Sequence, residues 1–103
     1  MARLIVHDEA KAETREAARW YEQQQEDLGK RFLNAVRSPT QKVRTRPHLF
    51  RQFDGPFRRY IIKGFPYAVI YAVRDDVIYV LAVMHMKRKP GYWKQRWSQF
   101  DSE

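Results

Sequence analysis

The carboxy-terminal stretch of the chain concentrates the residue types that could do chemistry. Residues 85–97 interleave five cationic side chains with three aromatic rings and contain no acidic residue. Arginine and lysine neutralise phosphate charge and aromatic rings stack on bases, so this composition indicates a surface for phosphates, bases or an acidic partner. The alternative is a solvated basic tail that only keeps a small domain in solution.

Histidine placement points to proton transfer rather than to metal binding. His85 opens the basic stretch, where its imidazole could move protons at neutral pH or simply orient the tail through a hydrogen bond. His7 and His48 are too scattered to form a metal site with it, so we expect neither a metal nor a cofactor. Paired catalytic carboxylates, a nucleophile elbow and a phosphate-binding glycine loop are missing. Any catalysis must therefore use cations, histidine and tyrosine, a set that suits phosphodiester cleavage.

Composition indicates one small domain with anionic partners. The 103 residues carry a net charge of +8, with a sequence pI near 10 and no cysteine. This length fits a single domain over residues 1–103, and the charge favours nucleic acid or an acidic protein. No stretch approaches the roughly 18 apolar residues of a membrane span, and the first residues lack the apolar run of a signal peptide. We expect a cytoplasmic protein that does not bind membranes.

Two adjacent stretches show the apolar spacing of helices. Residues 9–25 carry an apolar stripe at intervals of three and four, and Asp8 is placed to cap their first turn. A second stripe begins at Leu28, so close to the first that the two helices should form an antiparallel hairpin. Proline removes an amide donor, and we therefore expect the second helix to kink or restart at Pro39.

The strand-forming segments lie before and after the helices. Val, Ile and Tyr dominate residues 59–63, 67–73 and 77–84, and the short links between them predict an antiparallel meander. The last of these runs is apolar throughout, which predicts a strand covered on both faces. The expected fold is α+β: an N-terminal strand at residues 3–6, an antiparallel helical hairpin, a three-stranded antiparallel meander packed on the helices, and a basic C-terminal segment.

The strands determine which basic residues can act together. Arg58 and Arg59 are neighbours on one strand and must point to opposite faces. If Arg59 lies on the face away from the helices, it could join Lys63 and residues 87–89 in one concave cationic surface. Pairing with nearby aspartates is an equally good account of these arginines.

Three stretches of the chain together match one family. Residues 17–22 and 28–33 match its helical hairpin, and residues 58–60 with 65–71 match an arginine-led strand followed by a Pro-Tyr hairpin. The ending has the form His-x-x-Arg-x-Pro-x-Tyr-Trp-x-x-Arg over residues 85–96. In these features, which cover nearly all the chain, it resembles the RelE/ParE toxins of bacterial type II toxin–antitoxin systems, often called plasmid-stabilisation proteins.

The resemblance implies a toxin that is neutralised by a cognate antitoxin wrapping its basic surface, and that meets operator DNA only through that antitoxin. The family divides between ribonucleases that cut mRNA on the translating ribosome and poisons of DNA gyrase. The ribonuclease branch carries cations at positions that here hold Arg59, Ile61 and Ala68, and only the first is cationic. Loss of a transition-state arginine typically costs about 3 kcal/mol, which favours binding over cutting.

We therefore expect a toxin that arrests growth, most simply by binding DNA gyrase. Two alternatives stay open: a ribosome-dependent mRNA endonuclease and a non-toxic basic nucleic-acid-binding domain. If the protein is an enzyme, we expect it to be this endonuclease. For the endonuclease, the candidate catalytic residues are Arg59, His85, Arg88 and Tyr92. The candidate residues for contacting nucleic acid or another target are Arg58, Lys63, Lys87, Lys89, Trp93 and Arg96.

Overall fold

The computed structural model describes residues 2–101. These residues contain five strands and three helices. The sheet has the order β1-β5-β4-β3-β2, in which β1 runs parallel to β5 and the other neighbours are antiparallel. The α+β class, the helical hairpin and the meander are confirmed, but the sheet is mixed and five-stranded rather than three-stranded. The elements are β1 (Arg3–Val6), α1 (Asp8–Gln24), α2 (Leu28–Thr45), β2 (Gln52–Asp54), β3 (Phe57–Ile61), β4 (Tyr67–Arg74), β5 (Val77–His85) and α3 (Lys94–Asp101).

The first helix begins at Asp8, the residue that was predicted to cap it. His7, not Asp8, is the N-cap, and its Nδ1 accepts a hydrogen bond from the Glu9 amide at 3.0 Å. Asp8 is the first helical residue, where its negative charge lies at the positive end of the helix dipole. The prediction of Asp8 as the cap is therefore wrong, because an imidazole nitrogen satisfies the free amide instead.

The second helix passes through its proline. α2 is helical from Leu28 to Thr45 with Pro39 inside it, so of the predicted kink or restart the restart is excluded. The Tyr60 hydroxyl, which comes from β3, donates to the Val36 carbonyl at 3.0 Å, and the Thr40 hydroxyl donates to the same oxygen at 3.3 Å. These bonds hold the turn around the proline, and the first of them depends on a tertiary contact that helical spacing does not reveal.

The turn between α1 and α2 brings the two helices into close contact. Glu22 accepts hydrogen bonds from the amides of Asp27 and Gly29, each at 3.0 Å, and so satisfies free donors at the start of α2. Gly29 is buried, and a β-carbon at that position would collide with the Ala18 carbonyl oxygen of α1. Only glycine fits this crossing without a shift of one helix.

Gly29→Ala is therefore expected to lower the free energy of unfolding by about 1–3 kcal/mol through overpacking. Thermal or urea denaturation measures the loss. Asn34→Ala, at an exposed position of the same helix, is the matched control and should be close to neutral. Equal stability of the two variants would contradict the close contact between the helices.

Both faces of the sheet are covered, although by different elements. The helical hairpin packs on one face through Phe32, Tyr71 and Ile78, all fully buried. The other face is covered by the segment after β5 and by α3, whose Trp97 packs against Tyr79 with ring centroids 5.5 Å apart. This confirms that the apolar strand β5 is buried on both sides. Within residues 2–101 the structure has no helix long and apolar enough to cross a membrane.

Candidate functional site

The site begins at an interruption in strand pairing on β5. β1 ends at Val6, which pairs with Val80, so the same edge of β5 has no strand beside it beyond that point. The β4–β5 register also shifts here, leaving Leu81 as an extra, bulged residue. The Leu81 carbonyl and the Val83 amide therefore need hydrogen-bond partners other than a neighbouring strand.

A carboxylate from α1 and a guanidinium from α3 supply those partners. Val83 donates its amide hydrogen to Glu13 Oε1 at 3.0 Å, and Arg96 Nη1 donates to the Leu81 carbonyl at 2.8 Å. Arg96 also donates to both Glu13 oxygens, at 2.9 and 3.0 Å, in a bidentate pair. The Arg96 side chain is only 12% exposed and that of Glu13 only 15%, so this pair satisfies the open edge of β5 largely out of contact with solvent.

The same carboxylate also accepts two further hydrogen bonds from the basic stretch. Glu13 Oε2 accepts from the Tyr92 hydroxyl at 2.9 Å and from Arg88 Nη1 at 3.2 Å. The Arg88 guanidinium lies 3.5 Å from the centre of the Tyr92 ring, and that of Arg96 lies 4.9 Å from it. Three residues of the C-terminal motif thus converge on one acidic side chain; we call Glu13, Arg88, Tyr92 and Arg96 the Glu13 cluster.

The Glu13 cluster keeps its tyrosine protonated. Burial, together with the negative charge of Glu13, raises the pKa of Tyr92 well above its ordinary value of 10. Burial alone would lower the pKa of Arg96, but the hydrogen bond and charge of Glu13 raise it. At neutral pH Tyr92 is therefore protonated and donates its hydrogen bond to the Glu13 carboxylate.

These shifts predict a loss of stability at high pH. Burial also raises the pKa of Tyr71 to about 12. A tyrosine whose pKa is higher folded than unfolded contributes its full stability below pH about 10, and that contribution is lost as the pH rises towards the folded-state value. We expect the free energy of unfolding, measured in urea, to fall between pH 10 and 12 and to fall less steeply in Tyr92→Phe. If the free energy of unfolding falls equally steeply with pH in Tyr92→Phe and in the original chain, Tyr92 is not in the buried environment beside Glu13 described here.

His85 lies beside the cluster with a defined ring orientation. Its Nδ1 accepts a hydrogen bond from the Lys87 amide at 3.1 Å, so in the neutral ring Nε2 carries the proton. The ring packs edge-to-face on Tyr67, with centroids 5.1 Å apart. His85 and Arg88 line one cleft of about 530 Å³, together with Trp20 and other residues of α1. His85 therefore orients the start of the basic stretch and presents one N–H donor.

Arg59 lies elsewhere. It pairs across the sheet with Ile70, whose side chain belongs to the core under α3, so Arg59 is on the face away from the hairpin, as one prediction required. Its guanidinium lies 4.7 Å from the centre of the Phe53 ring. It lines a depression with Arg51, whereas His85 and Arg88 line the cleft on the side of α1. Arg59 is thus brought together with Phe53, and not with the Glu13 cluster.

The residues predicted to contact a target fall into four groups. Arg96 is largely buried and bound to Glu13 in the Glu13 cluster, which corrects its prediction as a contact residue. Arg58 donates to the Phe50 carbonyl at 2.6 Å and pairs with His48 Nδ1 at 3.0 Å, so it holds the loop before β2. Trp93 is fully buried in the core under α3, which corrects its prediction as a contact residue. The exposed members of the set are Lys63, Lys87 and Lys89.

Comparison with known proteins gives the family. A family model of the ParE toxin of the type II toxin–antitoxin system, parDE, matches residues 4–90. The chain belongs to the ParE toxin family. A solved structure described as the chromosomal ParDE toxin–antitoxin system from P. aeruginosa is similar to this toxin, with a TM-score of 0.59 and 15% identity over 82% of this chain and 96% of that chain. That likeness shows the shared fold; no curated protein matches the sequence.

The residue of this ParE toxin that sequence reasoning missed is Glu13. Helical spacing places it off the apolar stripe of α1, which is typical of a solvent-facing glutamate. One signal was present: residues 85–97 contain no acid, so cations there that become buried need a carboxylate from another part of the chain. Within residues 2–101 no group of three or more potential metal ligands comes together.

Proposed function

We propose that this toxin arrests growth by binding DNA gyrase and that a cognate antitoxin neutralises it. The observation that carries the proposal is the convergence of Arg88, Tyr92 and Arg96 on Glu13. Cleavage of mRNA would need an arginine free to stabilise negative charge and a side chain free to move a proton. The Glu13 carboxylate binds Arg88 and Tyr92, two of the four candidate catalytic residues, so the cluster favours a structural role over catalysis.

The residues on β3 and β4 support the same conclusion. Ile61 is apolar and 54% exposed at a position where the ribonuclease branch carries a cation, and Ala68 is fully buried. Arg59 is the one cation left from that set, and it packs on Phe53 away from His85 and Arg88. A transition state with charge spread over phosphate oxygens would find few donors converging on it here.

The antitoxin has a suitable surface between the two long helices. A groove of about 490 Å³ opens there, with an apolar floor that includes Leu33, Val36 and Val83. Cations stand at its rim, and no carboxylate lines it; they are Lys11, Arg15, Arg37 and Arg44. An acidic amphipathic helix would bury its apolar side in such a groove and pair its charges at the rim.

Expression of the chain alone under tight control tests the proposal. Growth should stop, purified toxin should inhibit supercoiling by purified gyrase, and co-expression with an acidic protein encoded beside it should restore growth. Normal growth would contradict a toxic action of either kind. Growth arrest with full supercoiling activity and cleaved messages would instead establish the ribosome-dependent endonuclease.

A further inference from the structure

The outer face of β2 and β3 carries an exposed apolar and cationic patch. Phe53 is 37% exposed and Ile61 is 54% exposed. Ile61 and Arg59 are two residues apart on β3 and so share a face, and the Arg59 guanidinium lies 4.7 Å from the centre of the Phe53 ring. We call Arg51, Phe53, Arg59 and Ile61 the β3 patch.

The β3 patch rests on well-packed residues. The Phe53 ring lies 5.8 Å from that of Trp93, which is fully buried. Ile61 pairs across the sheet with Ala68, also fully buried. Aromatic and arginine side chains with such support are the types that contribute most to protein–protein binding, because little conformational freedom remains to be lost.

The charge around the β3 patch is positive. A depression of about 500 Å³ is lined there by Arg51, Phe53 and Arg59 with two uncharged residues, and no carboxylate lines it. The nearby Asp54 is paired with Lys94, its Oδ2 lying 3.0 Å from the lysine Nζ. An occupant should therefore bring its own carboxylates.

We propose that the β3 patch is a docking surface for an acidic segment of the toxin's target protein, with an apolar side chain seated on Phe53 and Ile61. The exposed aliphatic Ile61 favours a polypeptide over a phosphate backbone, which would gain nothing from it. The groove between α1 and α2 lies on the opposite face of the sheet, so the target and antitoxin surfaces are separate. The identification of the partner as the target rests on the function proposed above.

The double variant Arg59→Glu/Ile61→Ala tests the docking surface. We expect its affinity for purified gyrase to fall at least tenfold, while its melting temperature and its affinity for the purified antitoxin stay unchanged. The matched control is Arg46→Glu/Leu49→Ala, which changes the exposed cation that caps the end of α2 and a 41% exposed apolar residue in the loop after it. The control should bind gyrase as the original toxin does. Unchanged gyrase binding by Arg59→Glu/Ile61→Ala overturns the proposal.

The same variants separate failure of the inference from failure of the proposed function. If the original toxin stops growth but does not bind gyrase, gyrase is the wrong target, and growth arrest becomes the readout. Loss of arrest in Arg59→Glu/Ile61→Ala alone then supports the β3 patch, and retained arrest overturns it. If the patch variant instead loses binding of a single-stranded RNA oligonucleotide that the control variant retains, the patch binds nucleic acid and the acidic-protein assignment is wrong. A non-toxic original chain contradicts both proposals.

Discussion

Glu13→Ala is expected to lower the free energy of unfolding by about 3 kcal/mol, because it leaves the positive charge of Arg96 largely buried without its partner. Arg96 is 12% exposed, and both of its terminal nitrogens donate to Glu13. The Val83 amide loses its acceptor as well, at an edge of β5 that has no neighbouring strand. For a domain of this size the loss corresponds to a fall in Tm of more than about 10 °C, measured by circular dichroism.

Two control variants separate this effect from a general effect of mutating α1. Glu16→Ala removes an exposed carboxylate one turn along the helix and should change stability by no more than about 0.5 kcal/mol. Glu13→Gln keeps the shape of the side chain and one acceptor oxygen, so its free energy of unfolding should lie between those of Glu13→Ala and Glu16→Ala. If Glu13→Ala unfolds no more easily than Glu16→Ala, the Glu13 cluster does not hold the C-terminal segment in place.

Trp93→Ala should have an effect of similar size for a different reason. The side chain is fully buried, and its ring lies 5.8 Å from that of Phe53 and 6.0 Å from that of Phe57. Removing it leaves a large cavity between the sheet and the segment that leads into α3. Such substitutions typically cost about 3–5 kcal/mol, which urea denaturation would measure.

The matched control for Trp93→Ala is Trp20→Ala, since the Trp20 side chain is 56% exposed on α1. That variant should melt close to the original toxin. Trp93→Phe should recover part of the stability that Trp93→Ala loses. A small effect of Trp93→Ala would mean that Trp93 is free to contact a target after all, as the charge and aromatic pattern first predicted.

The elements with strong apolar patterns could be predicted from the sequence, and the others depend on tertiary contacts. The strands that became β4 and β5 were predicted to within one residue at each end, because continuous Val, Ile and Tyr runs are buried on both faces. β2 has only three residues, all exposed, and its pairing with β3 creates the strand. The parallel pairing of β1 with β5 likewise depends on where the helical hairpin returns the chain.

The candidate site was predictable in part. The residues of the motif lie close together in the structure because they belong to one continuous segment, in which only eleven positions separate His85 from Arg96. Its counter-charge comes from α1, 83 residues away from Arg96, and no local pattern connects the two. Arg59 lies on the sheet face that one of the two predictions required, but its guanidinium packs on Phe53 and not beside that motif.

The measurement that most directly tests whether this toxin binds rather than cuts is mRNA cleavage on translating ribosomes, mapped by primer extension with purified toxin. With Arg88 and Tyr92 bound to Glu13, we expect no new 5′ ends in the message, for the original toxin and for Arg88→Ala alike. New ends that appear with the original toxin and disappear with Arg88→Ala would contradict this account.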